Sequence, residues 1–277
     1  MGGGARITEV GGPDHSRREH SRHEHGTHDH GLHGDTSQDN RVPSNRVPSN
    51  RVNRVPSNRA HSNGRVPLPR RSDPMAERTR RWLAQRRVLA VNLLGPSGAG
   101  ATTLVEHTLR TLGSELRCGV VEADQETTLD SERLGATGCR VVQINTGTGC
   151  HLDADMVEEG LRSLQPAARS LVFVENVGGL DCGAAHDLGE TLRVVLFPVT
   201  EGADKPLKHP AAFASADLVL LTKVDLLDHV EGEAEEFTAN ARSAHPQVPV
   251  LQVAAAHDTG LDAWCGWLRE QRAAVAG

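Results

Sequence analysis

Residues 88–104 read VLAVNLLGPSGAGATTL, and this stretch decides the fold. Its first part, residues 88–94, is apolar except for Asn92, a pattern found in strands buried in a parallel sheet. Gly95, Gly98 and Gly100 follow, and an amphipathic helix is predicted from there to about residue 113. Strand, glycine loop and helix in this order are the context of a P-loop, whose backbone N–H groups close around phosphates.

The loop departs from the P-loop pattern G-x-x-x-x-G-K-[ST] at one position. Ala101 stands where that pattern has Lys, and residues 88–109 contain no Lys or Arg. The missing Lys is normally a point charge on the β and γ phosphates, so we expect weaker triphosphate binding and slower hydrolysis. Thr102 is predicted to ligate Mg²⁺ through its hydroxyl, and Ala101 and Thr103 to bind nucleotide with the glycines. A glycine-rich turn without a ligand is the alternative.

A motif farther along the chain favours a nucleotide site. Residues 218–221 predict a buried strand, and Thr222-Lys223-Val224-Asp225 follows it directly. This [NT]-K-x-D pattern is typical of guanine recognition: the Asp225 carboxylate accepts from the base, and the Lys223 stem packs on the ring.

Acidic residues end two other predicted strands. Residues 120–124 read VVEAD and place Glu122 and Asp124 at a strand end, while residues 172–178 read VFVENVG, with Glu175 in the acidic position of a D-x-x-G type switch. We therefore predict Thr102, Asp124 and Glu175 as the catalytic group around Mg²⁺. Surface acids without a ligand are the alternative for these positions.

Cys150-His151 is the candidate metal pair. It places a thiol and an imidazole side by side at a predicted strand-to-helix junction. Thiolate and imidazole ligands suit nickel, zinc or copper rather than magnesium or calcium. A buried Cys beside a helix-start His, with no metal, is the alternative.

Residues 1–75 are predicted to be a disordered arm, because they contain no Cys, Trp or Phe and almost no apolar run. Residues 41–69 repeat the unit RVPSN imperfectly and are interpreted as a semi-extended linker. Residues 15–33 form a tract predicted to bind metal through neutral imidazoles, more weakly as the pH falls through about 6.5. Its seven histidines are His15, His20, His23, His25, His28, His30 and His33.

Charge and composition exclude several classes. The arm carries 12 Arg and 8 acidic residues, whereas residues 76–277, predicted to be one α/β domain, carry 18 basic and 28 acidic residues and a net charge of −10. That negative charge argues against nucleic acid as a partner. The sequence has neither a signal peptide nor an apolar run long enough for a membrane span. Five scattered Cys fit a reduced cytoplasm.

Three long segments carry a resemblance to a known family. They are residues 143–154 (QINTGTGCHLDA), 174–178 (VENVG) and 199–210 (VTEGADKPLKHP). With the loop and Thr222–Asp225, they make the chain similar, over roughly residues 85–270, to the hydrogenase nickel-incorporation GTPases of the HypB family. Urease-chaperone GTPases match these segments less well.

The resemblance implies a function and a site. It implies a GTP hydrolase and metallochaperone that delivers Ni(II) for [NiFe] hydrogenase maturation, acting on a hydrogenase large-subunit precursor with a maturation partner. It also implies a metal site of Cys150, His151 and Cys182, for Ni(II) or Zn(II), at a homodimer interface coupled to GTP and Mg(II). Cys118, Cys139 and Cys265 are interpreted as core or surface thiols.

Three departures from the family pattern keep alternatives open. Ala101 replaces the P-loop Lys, and Lys205 or Lys208, from this chain or from a partner subunit, is the candidate substitute. Residues 1–10 lack the Cys-rich motif of many relatives, so the His tract is the alternative metal store. Residues 253–256 read VAAA, which leaves backbone groups for base contacts there. The rival functions are metal storage or binding without turnover, zinc delivery, and an ATP-dependent kinase of similar fold.

The predicted fold is a three-layer α/β P-loop GTPase-type domain, a mostly parallel sheet with helices on both faces. Doubly wound folds bind ligands at the carboxyl ends of their strands, where the phosphates are expected. Strands are predicted near residues 88–94, 118–123, 140–145, 170–176, 192–199, 217–222 and 249–253.

Overall fold

The structure, a computed structural model, describes residues 6–10, 73–124, 128–146, 151–176 and 179–276. The predictions for the His tract, the RVPSN repeat and Cys150 lie outside the described residues.

An eight-stranded sheet with strand order β1-β4-β3-β5-β2-β6-β7-β8 organises the fold. Strands β2 to β8 are parallel, and β1 pairs with β4 in the antiparallel direction. The strands are β1 Arg6–Val10, β2 Leu89–Leu94, β3 Cys118–Asp124, β4 Arg140–Asn145, β5 Leu171–Glu175, β6 Leu192–Pro198, β7 Leu218–Thr222 and β8 Val250–Val253.

Helices cover both faces of this sheet, which confirms the predicted three-layer fold. They are α1 Pro74–Arg86, α2 Ala101–Leu112, α3 Leu129–Gly135, α4 Ala154–Leu164, α5 Leu180–Ala184, α6 Lys205–Lys208, α7 Pro210–Ala214, α8 Ala234–Ala244 and α9 Leu261–Ala276. Short 3₁₀ segments span Val199–Glu201, Val224–His229 and Ala255–His257. Among the described helices, none is long and apolar enough to cross a membrane.

The central strand β2 separates two cores through the alternation of its side chains. Val91 and Leu93 pack with residues of α2 and α9 on one face, including Leu104 and Trp264. Ala90 packs on the other face with residues of α1 and α4. All six residues of β2 are buried, as its sequence, apolar except for Asn92, predicts.

Strand β1 is an addition to the predicted architecture. Residues 6–10 fall in the predicted arm, yet Arg6–Val10 pairs with β4 in the register Ile7↔Ile144. Ile7 packs against the core on the α1 and α4 face, while Thr8 and Glu9 are exposed. A five-residue strand of mixed polarity gives a weak local signal, so its pairing depends on the long-range contact with β4.

Candidate nucleotide and metal sites

The loop between β2 and α2 has the backbone that its glycines predict. Gly98 and Gly100 have φ angles of 76° and 90°, in the left-handed region that side chains other than Gly rarely adopt. Gly95 is small for another reason: a Cβ there would lie 3.0 Å from the Ala99 Cβ. The hydroxyl of Thr222 donates to the Ala99 carbonyl at 2.9 Å, which ties the loop to β7.

A cleft of about 620 Å³ opens over this loop at the carboxyl ends of the strands. Ala101, Thr102 and Thr103 line it together with the loop glycines. Its acidic lining consists of Glu122, Asp124, Asp130 and Glu175, and its basic lining of Arg133 and Lys223. The structure thus brings the predicted phosphate-binding and catalytic residues to one cleft.

Buried carboxylates make the floor of the cleft suitable for a divalent cation. Thr102 donates its hydroxyl to Glu175 Oε1 at 2.6 Å. The Oε2 atoms of Glu122 and Glu175 are buried and have no hydrogen-bond partner among the described residues. Carboxylate oxygens and a Thr hydroxyl are the ligands that Mg²⁺ takes beside phosphate oxygens and water. These residues therefore fit Mg²⁺.

The same burial shifts both carboxyl pKa values upward. Burial raises the pKa of Glu122 to about 8, with added repulsion from Glu175, Asp124 and Asp130. Burial also raises the pKa of Glu175 to about 7, opposed by the hydrogen bond from Thr102 and the charge of Arg133. The neutral acid is favoured in both cases because a charged carboxylate loses hydration in this floor. A bound cation would reverse that preference.

A second cavity of about 220 Å³ adjoins the loop beside β7. Lys223 and Asp225 line it, opposite Ala255 and Ala256. Lys223 has a left-handed backbone with φ of 59°, which turns the chain sharply after β7. A carboxylate beside an apolar wall fits the predicted guanine pocket. His257 was not predicted, and its Nε2 lies 3.5 Å from Asp225 Oδ2.

Lys205 and Lys208 do not line the cleft of the described chain. Each pairs with an acid four residues earlier on its own segment. Lys205 contacts Glu201, and Lys208 contacts Asp204 at 2.6 Å. Neither residue therefore takes the place of the P-loop Lys in the cleft of its own described chain, and a substitution from a partner subunit stays a prediction.

The predicted metal-binding segment is described from His151 onward. Asp153 begins α4 as its N-cap, accepting a hydrogen bond from the Met156 N–H at 2.8 Å, which explains the Asp that follows Cys-His-Leu. The His151 ring stacks on that of His186, with ring centroids 3.9 Å apart. His186 was not predicted, because its proximity to His151 depends on the packing of the segment after α5.

Cys182 lies on α5, which follows β5, and is half-buried. Within the described residues, no three His, Cys, Asp or Glu side chains converge as a metal site. Since Cys150 is outside the described residues, the set Cys150, His151 and Cys182 stays a prediction.

A buried ion pair holds the segment that carries His186. Arg193 is fully buried, and its Nε donates to Glu190 Oε1 at 2.9 Å. Its Nη2 donates to the His186 carbonyl at 2.7 Å, and its Nη1 to the Ala184 carbonyl at 3.3 Å. Burial of this charge is compensated by hydrogen bonds, so Arg193 fixes the backbone between α5 and β6.

Asn176 connects the two sites. It follows β5 and lines the phosphate cleft. Its Oδ1 accepts a hydrogen bond from the Leu152 N–H at 3.0 Å, directly after His151. The cleft and the predicted metal-binding segment thus share one side chain.

A parallel sheet, a glycine loop leading into α2 and a cleft with buried acids together define a P-loop GTPase-type nucleotide-binding domain. The CobW/HypB/UreG nucleotide-binding domain family matches residues 89–252. The HypB hydrogenase maturation factor of Escherichia coli K12 is 43% identical over 204 residues, covering 74% of this chain and 70% of the relative. That of Rhizobium leguminosarum bv. viciae is 44% identical over 198 residues, covering 72% and 66%.

Two solved structures extend this similarity to the fold. HypB from Archaeoglobus fulgidus superimposes with a TM-score of 0.68 at 35% identity, covering 72% of this chain and 97% of that chain. HypB from Helicobacter pylori, solved in complex with nickel, gives a TM-score of 0.66 at 28% identity, covering 72% and 94%. The chain belongs to the HypB family of hydrogenase maturation factors.

Proposed function

We propose that this protein binds GTP and Ni²⁺ and, under GTP control, delivers nickel during [NiFe] hydrogenase maturation. Its relatives are hydrogenase maturation factors, and one of the structural relatives was solved with nickel. The observation that carries the proposal of GTP control is the position of Asn176. It lines the phosphate cleft and accepts a hydrogen bond from the Leu152 N–H beside His151. A phosphate that moves Asn176 therefore acts on the predicted metal-binding segment.

Each part of the site has a proposed role. The loop from Gly95 to Thr103 binds phosphates, and Lys223 and Asp225 read the guanine. Thr102, Asp124 and Glu175 would hold Mg²⁺ and orient the attacking water, and the ion would supply charge neutralisation for phosphoryl transfer. Nickel is the cargo, taken by Cys150, His151 and Cys182, and the His tract of residues 15–33 collects it.

The proposed assembly is a cytoplasmic homodimer that works with a maturation partner and a hydrogenase large-subunit precursor. GTP changes the nickel affinity, and nickel must then favour one nucleotide state by the same factor.

Substitution of Asn176 tests the proposed GTP control. Nickel affinity of the full chain is measured by competition with a chromogenic chelator, in Mg-GDP and in a non-hydrolysable Mg-GTP analogue. We expect the two affinities to differ by about fivefold or more in the parent and to converge in Asn176→Ala. Asn240→Ala is the matched control, because Asn240 also bonds a backbone atom, the Ala203 carbonyl, at 2.9 Å but lies on α8. Equal affinities in both nucleotides for the parent would reject GTP control.

A second function is favoured by Ala101: nickel or zinc storage or binding with little or no hydrolysis. GTP turnover of the parent is compared with that of Ala101→Lys. If the parent has no turnover and the variant gains it, the protein is not an active GTPase and storage is the better account. Parallel Ni²⁺ and Zn²⁺ titrations of the parent and Cys150→Ser separate the metals, and unchanged affinities in the variant would remove Cys150 from the site.

A further inference from the structure

The phosphate cleft has a deficit of positive charge. The loop itself carries no cation because Ala101 occupies the Lys position, and Asp124 and Asp130 line the cleft beside the two buried glutamates. A nucleoside triphosphate brings several further negative charges. Of the two cations that line the cleft, Lys223 also lines the second cavity, where its stem serves the base. Arg133 is the other.

Arg133 projects from α3 onto the first turn of α2. Its Nη2 donates to the Thr103 hydroxyl at 3.2 Å, two residues after Ala101. Its Nε pairs with Glu106, one helical turn farther along α2. None of the described residues accepts a hydrogen bond from Nη1. The guanidinium is therefore anchored on one side and has donors left for a ligand.

The charge of Arg133 is not cancelled by its anchor. Glu106 pairs through Oε2 with Arg133. Its Oε1 lies 2.5 Å from Arg110 Nη2. One buried carboxylate shared by two guanidinium groups leaves one positive charge in excess. The field of Arg133 also extends to Glu175, whose pKa it lowers against the effect of burial.

We propose that Arg133 supplies to the nucleotide phosphates the positive charge that the loop lacks at Ala101. A guanidinium can donate to two phosphate oxygens at once. Arg133, although it lies on the neighbouring helix α3, can therefore replace the ammonium group of the P-loop Lys. Arg133 is a binding residue in this role, and the ligand class is a nucleoside di- or triphosphate. The inference rests on the proposed nucleotide binding and deepens it.

A double-mutant cycle tests the inference. Affinities for GDP and a non-hydrolysable GTP analogue are measured by calorimetry for the parent, Arg133→Ala, Ala101→Lys and the double variant. We expect Arg133→Ala to weaken binding of the analogue by about tenfold or more in the parent, and by about threefold or less in the Ala101→Lys background.

Arg110→Ala is the matched control. It also removes one guanidinium from Glu106, but Arg110 faces a different cavity, beside Gly113 and Cys118. We expect it to weaken nucleotide binding clearly less than Arg133→Ala does, because its loss lets Glu106 neutralise more of the Arg133 charge but removes no donor to the phosphates. Arg133→Lys should keep part of the affinity, and thermal unfolding of every variant checks that the fold is intact.

The outcomes separate the inference from the function beneath it. Equal losses for Arg133→Ala and Arg110→Ala, or the same loss in the parent and in the Ala101→Lys background, would overturn the role of Arg133 while leaving nucleotide binding in place. If the parent does not bind nucleotide but the Ala101→Lys variant does, Arg133 does not replace the missing P-loop Lys. If neither binds nucleotide, the proposed function fails together with the inference.

Discussion

At the scale of single residues, two buried carboxyl groups in the cleft make the stability of the protein depend on pH. Glu122 and Glu175 are register neighbours on β3 and β5, and burial raises the pKa of each. A folded-state pKa above the unfolded value means that the folded protein prefers the proton. The contribution of these two groups to the stability of the metal-free protein is therefore most favourable below about pH 4.5. This contribution is lost as the pH rises through about 7 to 8.

Glu122→Gln should stabilise the metal-free protein at pH 8.5, by on the order of 1–3 kcal/mol, and have little effect near pH 5. The amide keeps the shape of the acid and removes the buried charge. Thermal unfolding between pH 5 and pH 8.5, without Mg²⁺ or nucleotide, measures this. The exposed Glu132→Gln is the control. A gain of equal size at both ends of the pH range would contradict the charge argument.

Gly100→Ala should cost about 1–2 kcal/mol of stability, because its φ of 90° is unfavourable for a side chain. Space is not the reason, since a Cβ at Gly100 would meet no atom within 4 Å. Gly266 has equally open surroundings inside helix α9, so Gly266→Ala should instead stabilise by up to about 1 kcal/mol. Urea unfolding measures the change in the free energy of unfolding for each variant. Changes of the same sign in both would refute the backbone argument.

At the scale of elements, the buried Arg193–Glu190 pair holds the backbone between α5 and β6. Arg193→Met should destabilise the protein by about 3–5 kcal/mol, since Glu190 would remain buried and uncompensated. Arg269→Met removes an Arg from the solvent-exposed pair with Glu115 and should cost far less, because solvent screens that pair. Urea unfolding compares the two, and equal costs would remove the special role of burial.

The elements also show what a sequence can predict. Strands β2 to β8 lie within two residues of their predicted bounds, because apolar runs in a buried parallel sheet are a strong local signal. Strand β1 was not predicted, since its partner is more than a hundred residues away. Arg133, His186 and His257 were missed for the same reason: their roles depend on which elements the fold brings together, and an isolated Arg or His gives no local signal.

At the scale of the whole molecule, the predicted His tract and the domain should bind nickel separately. Replacing the seven histidines of residues 15–33 by Asn should lower the number of nickel ions bound per chain and leave GTP affinity unchanged. Neutral imidazoles are the expected ligands, so the lost capacity should be the part that also disappears on acidification through about pH 6.5. Metal analysis after equilibrium dialysis counts the ions. An unchanged count would exclude the tract as a store.

Coupling between nucleotide and nickel across the whole molecule is the central proposal, and Asn176 contacts both the phosphate cleft and the predicted metal-binding segment. Linkage requires that nickel change the affinity for the GTP analogue, relative to GDP, by the same factor by which the analogue changes the affinity for nickel. The most direct test measures both nucleotide affinities by calorimetry on nickel-free and nickel-loaded parent protein. We predict that nickel alters the ratio of the two affinities by about fivefold or more. A ratio that is the same with and without nickel would contradict the account.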